Sequence, residues 1–251
     1  MAKDLTGTLS LIHEMGFREV ETGTPQGMTA AQYRAALDAA GLRAVSTGGD
    51  FGAMQKNVDE QIADATTLGA SSFMVAWIPH NGVFTMADCQ GAAKLFNQWA
   101  AKVKDSGLQF AYHIHGYEFQ PSPDGTLLDT LVKTTDPSLV SLEMDVFWVV
   151  WPGQDPIALL KRYPARFSMM HLKDLKKGVN GTQDGHAPEE DSVPLGQGVV
   201  DWPVLLGESQ KDGVKHYFIE DESPFASQQI PQSLKYLQNL PPAGPRQSAR
   251  K

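Results

Sequence analysis

Apolar and polar positions change period many times along this chain, and the changes mark out its elements. Behind Asp4, a plausible helix N-cap, Leu5, Leu9 and Ile12 fall on one face of a helix that Gly16 ends. FREVET then reads as a strand. Thr29 and Gln32 form a capping-box pattern, and Tyr33, Leu37 and Ala40 make a helical stripe up to Gly41. RAVSTGG is the next strand, and Met54, Val58, Ile62 and Ala65 are the face of a helix ending near Gly69. SSFMVAWI, a long helix over 86–106, LQFAYHIH and a short helix over 127–132 continue the alternation. VSLEMDVFW, a helix over 156–163 and FSMMHLKD follow.

The polar, glycine-rich stretch 176–198 is too long for a plain turn between strand and helix and reads as a functional loop or lid. Asp201 caps a helix through Leu206, HYFIEDE is the last strand, and 227–240 is the last helix. Seven strands alternating with eight helices predict parallel strands with helical crossovers in one domain over 1–240. PPAGPRQSARK, 241–251, reads as a disordered tail. An eight-stranded α/β barrel would need one more strand before Asp4. Either the barrel is open there, or another segment or subunit fills the gap.

At 251 residues one such barrel is affordable. A net charge of −8 without a basic, aromatic-interleaved stripe argues against nucleic acid. No apolar run reaches the ~18–20 residues of a membrane span. No signal segment is visible and Cys89 is the single cysteine, which together suggest a cytoplasmic protein.

The chemistry gathers where the strand-like runs end. Glu118, Asp145, His171 and Glu220 close four of them. Parallel strands of a barrel bring such ends to one mouth, where enzymes of this architecture work. Two glutamates, an aspartate and a histidine suit one divalent ion, with manganese first and magnesium, cobalt or zinc as alternatives. Each has a plain structural alternative: a helix cap, a salt bridge or a hydrogen-bonded core histidine.

At YHIHGYEF, LEMDVFWVVWPGQDP, HLKD, LGQGVVDW and FIEDES the chain resembles the sugar isomerase/epimerase superfamily of xylose-isomerase-like barrels, nearest to proteins loosely called sugar phosphate isomerases/epimerases. The resemblance implies a (β/α)8 TIM barrel whose first strand normally precedes Asp4, with one metal on Glu118, Asp145, His171 and Glu220. Ketose 3-epimerases of the superfamily carry a histidine three residues after the metal-binding aspartate; here that position is Trp148. The DNA-repair relative endonuclease IV needs three zinc ions and further ligands that this acidic chain lacks. Barrels of this superfamily often pair, so an open side favours a homo- or hetero-oligomer.

A metal holding a sugar carbonyl and its neighbouring hydroxyl would stabilise the negative charge left when the adjacent C–H is deprotonated. Glu118 and Glu220 could then serve as bases on opposite faces of the sugar, which gives epimerisation or isomerisation. If the next carbon bears a leaving group, the same step leads to β-elimination, with His115 or Lys173 as general acid. Trp148 in place of histidine tilts toward this lyase reading, of the inosose-dehydratase or 3-keto-glycoside-cleaving kind. Glu143 is a partner or base on the face of Asp145, and His113 lies deeper in the barrel than His115. Trp148 and Trp151 could form a stacking platform, with Trp77 and His80 as further substrate contacts. No glycine-rich phosphate cradle or arginine cluster supports a phosphorylated substrate. A non-catalytic sugar-binding barrel is the reading from another class.

Overall fold

A computed structural model of the chain describes residues 4–241. Seven strands form one sheet in sequence order: β1 Glu19–Thr22, β2 Arg43–Gly49, β3 Ser72–Val75, β4 Gln109–His113, β5 Val140–Asp145, β6 Phe167–Leu172 and β7 His216–Ile219. Every neighbouring pair is parallel. Sequential parallel order needs a crossover after each strand, and helices supply it. They are α1 Leu5–Glu14, α2 Ala30–Ala39, α3 Phe51–Leu68, α4 Met86–Asp105, α5 Leu127–Thr134, α6 Val146–Val150, α7 Pro156–Arg162, α8 Trp202–Asp212 and α9 Ala226–Gln238.

The result is a nearly closed seven-stranded parallel barrel, a TIM barrel short of one strand among the described residues. β3, β5 and β6 are buried along their whole length, whereas β1 and β7, the two ends of the sheet, are half-buried throughout. Side chains span the seam between them: His216 Nδ1 of β7 lies 3.0 Å from Glu19 Oε2 of β1. The apolar core lies between strands and helices, where Phe96, Phe110, Tyr112 and Trp202 are fully buried.

Nine α-helices are present among the described residues where the sequence pattern gave eight. The extra one is α6, read from sequence as the end of the VSLEMDVFW strand. Asp145 Oδ1 accepts the amides of Phe147 at 2.8 Å and Trp148 at 3.3 Å, so the chain leaves the strand at Asp145 and turns into a helix. VFWVV is apolar throughout, and periodicity cannot separate a buried strand from a buried helix there.

The 176–198 loop is anchored at its base. Asp174–Leu175 pairs antiparallel with Ser192–Val193. The Asp174 carboxylate accepts the amides of Gly196, Gly198 and Val200 and the indole N–H of Trp202. A Cβ at Gly198 would stand 2.1 Å from Asp174 Oδ1, so only glycine allows this approach. No described helix is long and apolar enough to cross a membrane. The expected disordered tail lies outside the described residues except for Pro241.

Candidate metal centre

Three consecutive buried strands and the end of β7 bring polar side chains to one point at the C-terminal mouth. Register makes His113 of β4 the partner of Glu143 on β5, and Asp145 of β5 the partner of His171 on β6. Alternation then turns His113, Glu143, Asp145 and His171 into the barrel. Glu220 follows the last residue of β7 and reaches His171 Nδ1 at 3.2 Å.

Asp145 divides its carboxylate between two tasks. Oδ1 caps α6, and Oδ2 is buried with no hydrogen-bond partner. Two imidazoles approach that free oxygen, His113 through Nε2 and His171 through Nδ1, each at 3.9 Å. The opposite nitrogens of both rings are taken by carboxylates. His113 Nδ1 meets Glu143 Oε2 at 3.1 Å, and His171 Nε2 meets Glu21 Oε1 of β1 at 2.7 Å. A carboxylate that accepts one ring N–H fixes the tautomer and leaves the other nitrogen free to ligate. Two sets of ligand atoms, each within 4.8 Å of one another, share His171: Asp145, His171 and Glu220 form one, and His113, Glu143 and His171 the other, with His113 Nε2 bordering the first set 3.9 Å from Asp145 Oδ2.

Charge at the cluster points the same way. Burial alone would lower His171, but Glu143, Glu220 and Glu21 raise it well above its usual 6.5. Burial would raise Glu143 too, yet His171 and His113 hold it down at about 2. Asp145 is pushed up to about 6, by burial first, against the pull of Lys173. Four buried or half-buried carboxylates, Glu21, Glu143, Asp145 and Glu220, face one lysine and two imidazoles. Glu21 Oε2 and Glu143 Oε1 are, like Asp145 Oδ2, buried with no hydrogen-bond partner among the described residues, although Glu143 Oε1 lies 3.4 Å from His171 Nε2. Buried orphan carboxylate oxygens and an acid excess are what a dication would satisfy, so the donor set fits one.

Asp145, His171 and Glu220 thus come together as the sequence pattern predicts, and Glu118 does not join them. Gly116, at φ 92°, turns the chain out of β4 into a short 3-10 turn, Tyr117–Phe119. Glu118 there is fully buried and accepts the Tyr112 hydroxyl and the His115 amide. Its place beside Asp145 is taken by His113, which the sequence reading set deeper in the barrel. Glu143 lies behind the two histidines. Glu21 was missed. The available signal was the alternation of Glu19 and Glu21 on one face of FREVET; the register against β2 also shifts between Val20 and Glu21, where Val45 of β2 is the extra residue.

Lys173 is buried, ion-paired with Glu222 and 3.6 Å from Glu220, and its pKa is raised above 10.5 because Asp145 and Glu220 outweigh burial. Its ammonium lies 5.1 and 5.6 Å from the ring centroids of Phe147 and Trp148. His115 stacks on Trp148 at 4.5 Å and is pushed down to about 3 by burial and by the neighbouring His113 and Lys173, so it is neutral. Trp148 faces this group, whereas Trp151, in the same buried cluster, stacks on Phe147 at 5.6 Å. Trp77 meets His115 edge-on at 5.1 Å and stacks on His80 at 5.1 Å, one ring further out.

Residues 9–240 match the family model described as xylose isomerase-like TIM barrel. The chain belongs to that family. A sugar phosphate isomerase/epimerase from Parabacteroides distasonis superposes with a TM-score of 0.77 at 21% identity, over 95% of this chain and 93% of that one. A xylose isomerase-like barrel protein from Mycobacterium smegmatis, solved in complex with magnesium, gives 0.73 at 16% identity over 92% and 86%. Inosose dehydratase of Clostridium tetani is 34% identical over 98 residues, 39% of this chain and 32% of that protein. The match thus spans about a third of the length of such curated relatives.

Proposed function

We propose that this chain is a divalent-metal-dependent enzyme that moves a proton at the carbon next to a carbonyl of a keto-sugar, as an isomerase or epimerase. The observation that carries this reading is the free Asp145 Oδ2, buried where His113 Nε2 and His171 Nδ1 converge at 3.9 Å. The ion would be held by His113, Asp145, His171 and Glu220, with Glu143 and Glu21 orienting the two imidazoles. Manganese is the proposed ion; magnesium, cobalt and zinc compete for a mixed N/O set. When bound, it supplies Lewis-acid stabilisation of negative charge on a carbonyl oxygen.

The chain's own groups supply the rest. Glu220 is the half-exposed carboxylate of the set, and the His171 and Lys173 cations hold its pKa well below 4.5 in spite of burial. It is ionised, and in this reading it is the base that takes a proton from a sugar carbon. Lys173 stays charged and can hold an oxygen that gains negative charge. Neutral His115, on its Trp148 seat, can hydrogen-bond a hydroxyl. Glu118 no longer serves as a base on the opposite sugar face, because its oxygens are engaged by Tyr112 and His115. The proposed protein is cytoplasmic and takes a small sugar or keto-sugar as its partner.

Elimination is the second reading. The inosose dehydratase relative favours it, and so does Trp148 in the place of the epimerase histidine. Incubation of metal-loaded protein with an inosose in deuterium oxide separates the two. Deuterium in recovered or epimerised substrate supports proton transfer alone, whereas loss of water to an unsaturated ketone supports the lyase. Neither exchange nor elimination across a keto-sugar panel, with metal bound, would leave a non-catalytic sugar-binding barrel.

A further inference from the structure

A cleft of about 470 Å³ opens at the barrel mouth beside the candidate metal centre. Trp77, His80 and Gln120 form its barrel side, and Gln183, Asp184 and His186 of the 176–198 loop form the other. Its volume lies in the usual small-molecule range of ~300–1,000 Å³. The space among Trp148, Lys173, Pro188 and Glu222 differs sharply: it holds about 30 Å³, room for about two waters. The same loop roofs that inner space. Gly185, buried at φ 73°, seats it on Tyr117, Trp77 and His115, and a Cβ there would meet Tyr117 Cδ1 at 2.8 Å.

We propose that this cleft is a second-ring subsite: the substrate is a two-part molecule whose reacting sugar enters beside Lys173 while an attached ring lodges against Trp77, His80 and His186. The proposal rests on the metal-enzyme reading and specifies its substrate class. A line of rings joins the two places. His113 and His115 are 5.7 Å apart, His115 and Trp77 5.1 Å, and Trp77 and His186 5.8 Å. Flat rings beside amide groups suit a face-stacked, hydroxyl-bearing ring. Gln120 donates to the Gln183 carbonyl at 3.0 Å, so barrel and loop already touch across the cleft floor. A ring bound there contacts both at once, and its binding energy can offset displacement of the loop from the inner space. The attached ring can be a second sugar or an aromatic group; both present the same face.

The test titrates magnesium-loaded protein with methyl β-D-glucoside, phenyl β-D-glucoside and cellobiose, following ligand signals by saturation-transfer NMR. At least one two-ring probe is expected to bind about tenfold tighter than the methyl glucoside. Trp77→Leu, and separately His186→Ala at an exposed loop position, should bring that preference to within about twofold while metal content stays unchanged. Preference for cellobiose assigns a sugar to the cleft, and preference for the phenyl glucoside assigns an aromatic group. No preference for either probe, or a preference that survives both substitutions, overturns the proposal. Metal uptake without the preference removes only the subsite; the Trp77-dependent preference in a chain that takes up no metal removes only the metal-enzyme reading.

Discussion

The buried strands β4 to β6 and the two edge strands β1 and β7 serve the same site by different means. His113, Asp145 and His171 sit on strands whose ladders fix them residue by residue. Glu21 comes from an edge strand that shares no ladder with β6, and its ion pair to His171 brings it in, whereas Glu220 follows β7, whose ladder with β6 runs on to the Glu220 amide, 3.3 Å from the Leu172 carbonyl. The strand ladders therefore set donor geometry, and the seam adds the charge of Glu21. Substitutions at the centre should remove the site, and those at the edge should weaken or retune it.

The largest effect is expected for His171→Ala, which touches both regions. Metal content by elemental mass spectrometry should fall from about one ion per chain to below about 0.1. The metal-free chain should also lose about 3–5 kcal/mol in urea unfolding, because Glu143, Glu21 and Glu220 lose the cation between them. Full metal retention would break the assignment of the centre. Glu220→Gln comes next. It should slow deuterium exchange into a keto-sugar by about 10²–10⁴-fold. An unchanged exchange rate would move the base elsewhere.

The comparison sharpens with two neutral replacements behind the histidines. Glu143 touches both rings, His113 at 3.1 Å and His171 at 3.4 Å, whereas Glu21 touches only His171. Losing an orienting carboxylate typically weakens metal binding about 10–100-fold. Glu143→Gln should fall at the upper end of that range and Glu21→Gln at the lower, measured by competition with a chelating dye. Equal losses would remove the distinction between centre and edge. Glu118→Gln should leave metal affinity alone and cost about 1–3 kcal/mol of stability, since it disturbs only the Tyr112 and His115 hydrogen bonds.

These residues also mark how far the sequence can be read. Asp145 and His171 were legible because each lies within a regular strand, where alternation decides the face. Glu118 does not join them because the strand ends well before it: β4 stops at His113, and Gly116 turns the chain into the short 3-10 turn that carries Glu118. His113 was undervalued for another reason: its neighbour across the ladder, Glu143, is visible only once β4 and β5 are paired. Glu21 sits on a four-residue edge strand, and its register shift against β2 at Val45 is recorded by no hydrophobic period. The missing-strand geometry, by contrast, followed directly from counting alternations.

The smallest effect belongs to the seam itself. Glu19 of β1 pairs with Arg43 of β2 and, at 3.0 Å, with His216 of β7. Burial would raise its pKa, but the hydrogen bonds and charges of these two partners lower it below the usual 4.5. A carboxylate with a lowered folded pKa adds stability above its unfolded pKa and loses that addition as the pH falls through the folded value. Its side chain is 38% exposed, so solvent screening limits the worth of the pair to about 0–1 kcal/mol. Glu19→Gln should therefore lower thermal stability slightly at pH 7, and the gap from wild type should close as both proteins are taken below pH ~4. A gap that stays constant across that range would mean that Glu19 holds the seam by packing rather than by charge, and that β1 and β7 are joined more like the interior strands than their burial implies.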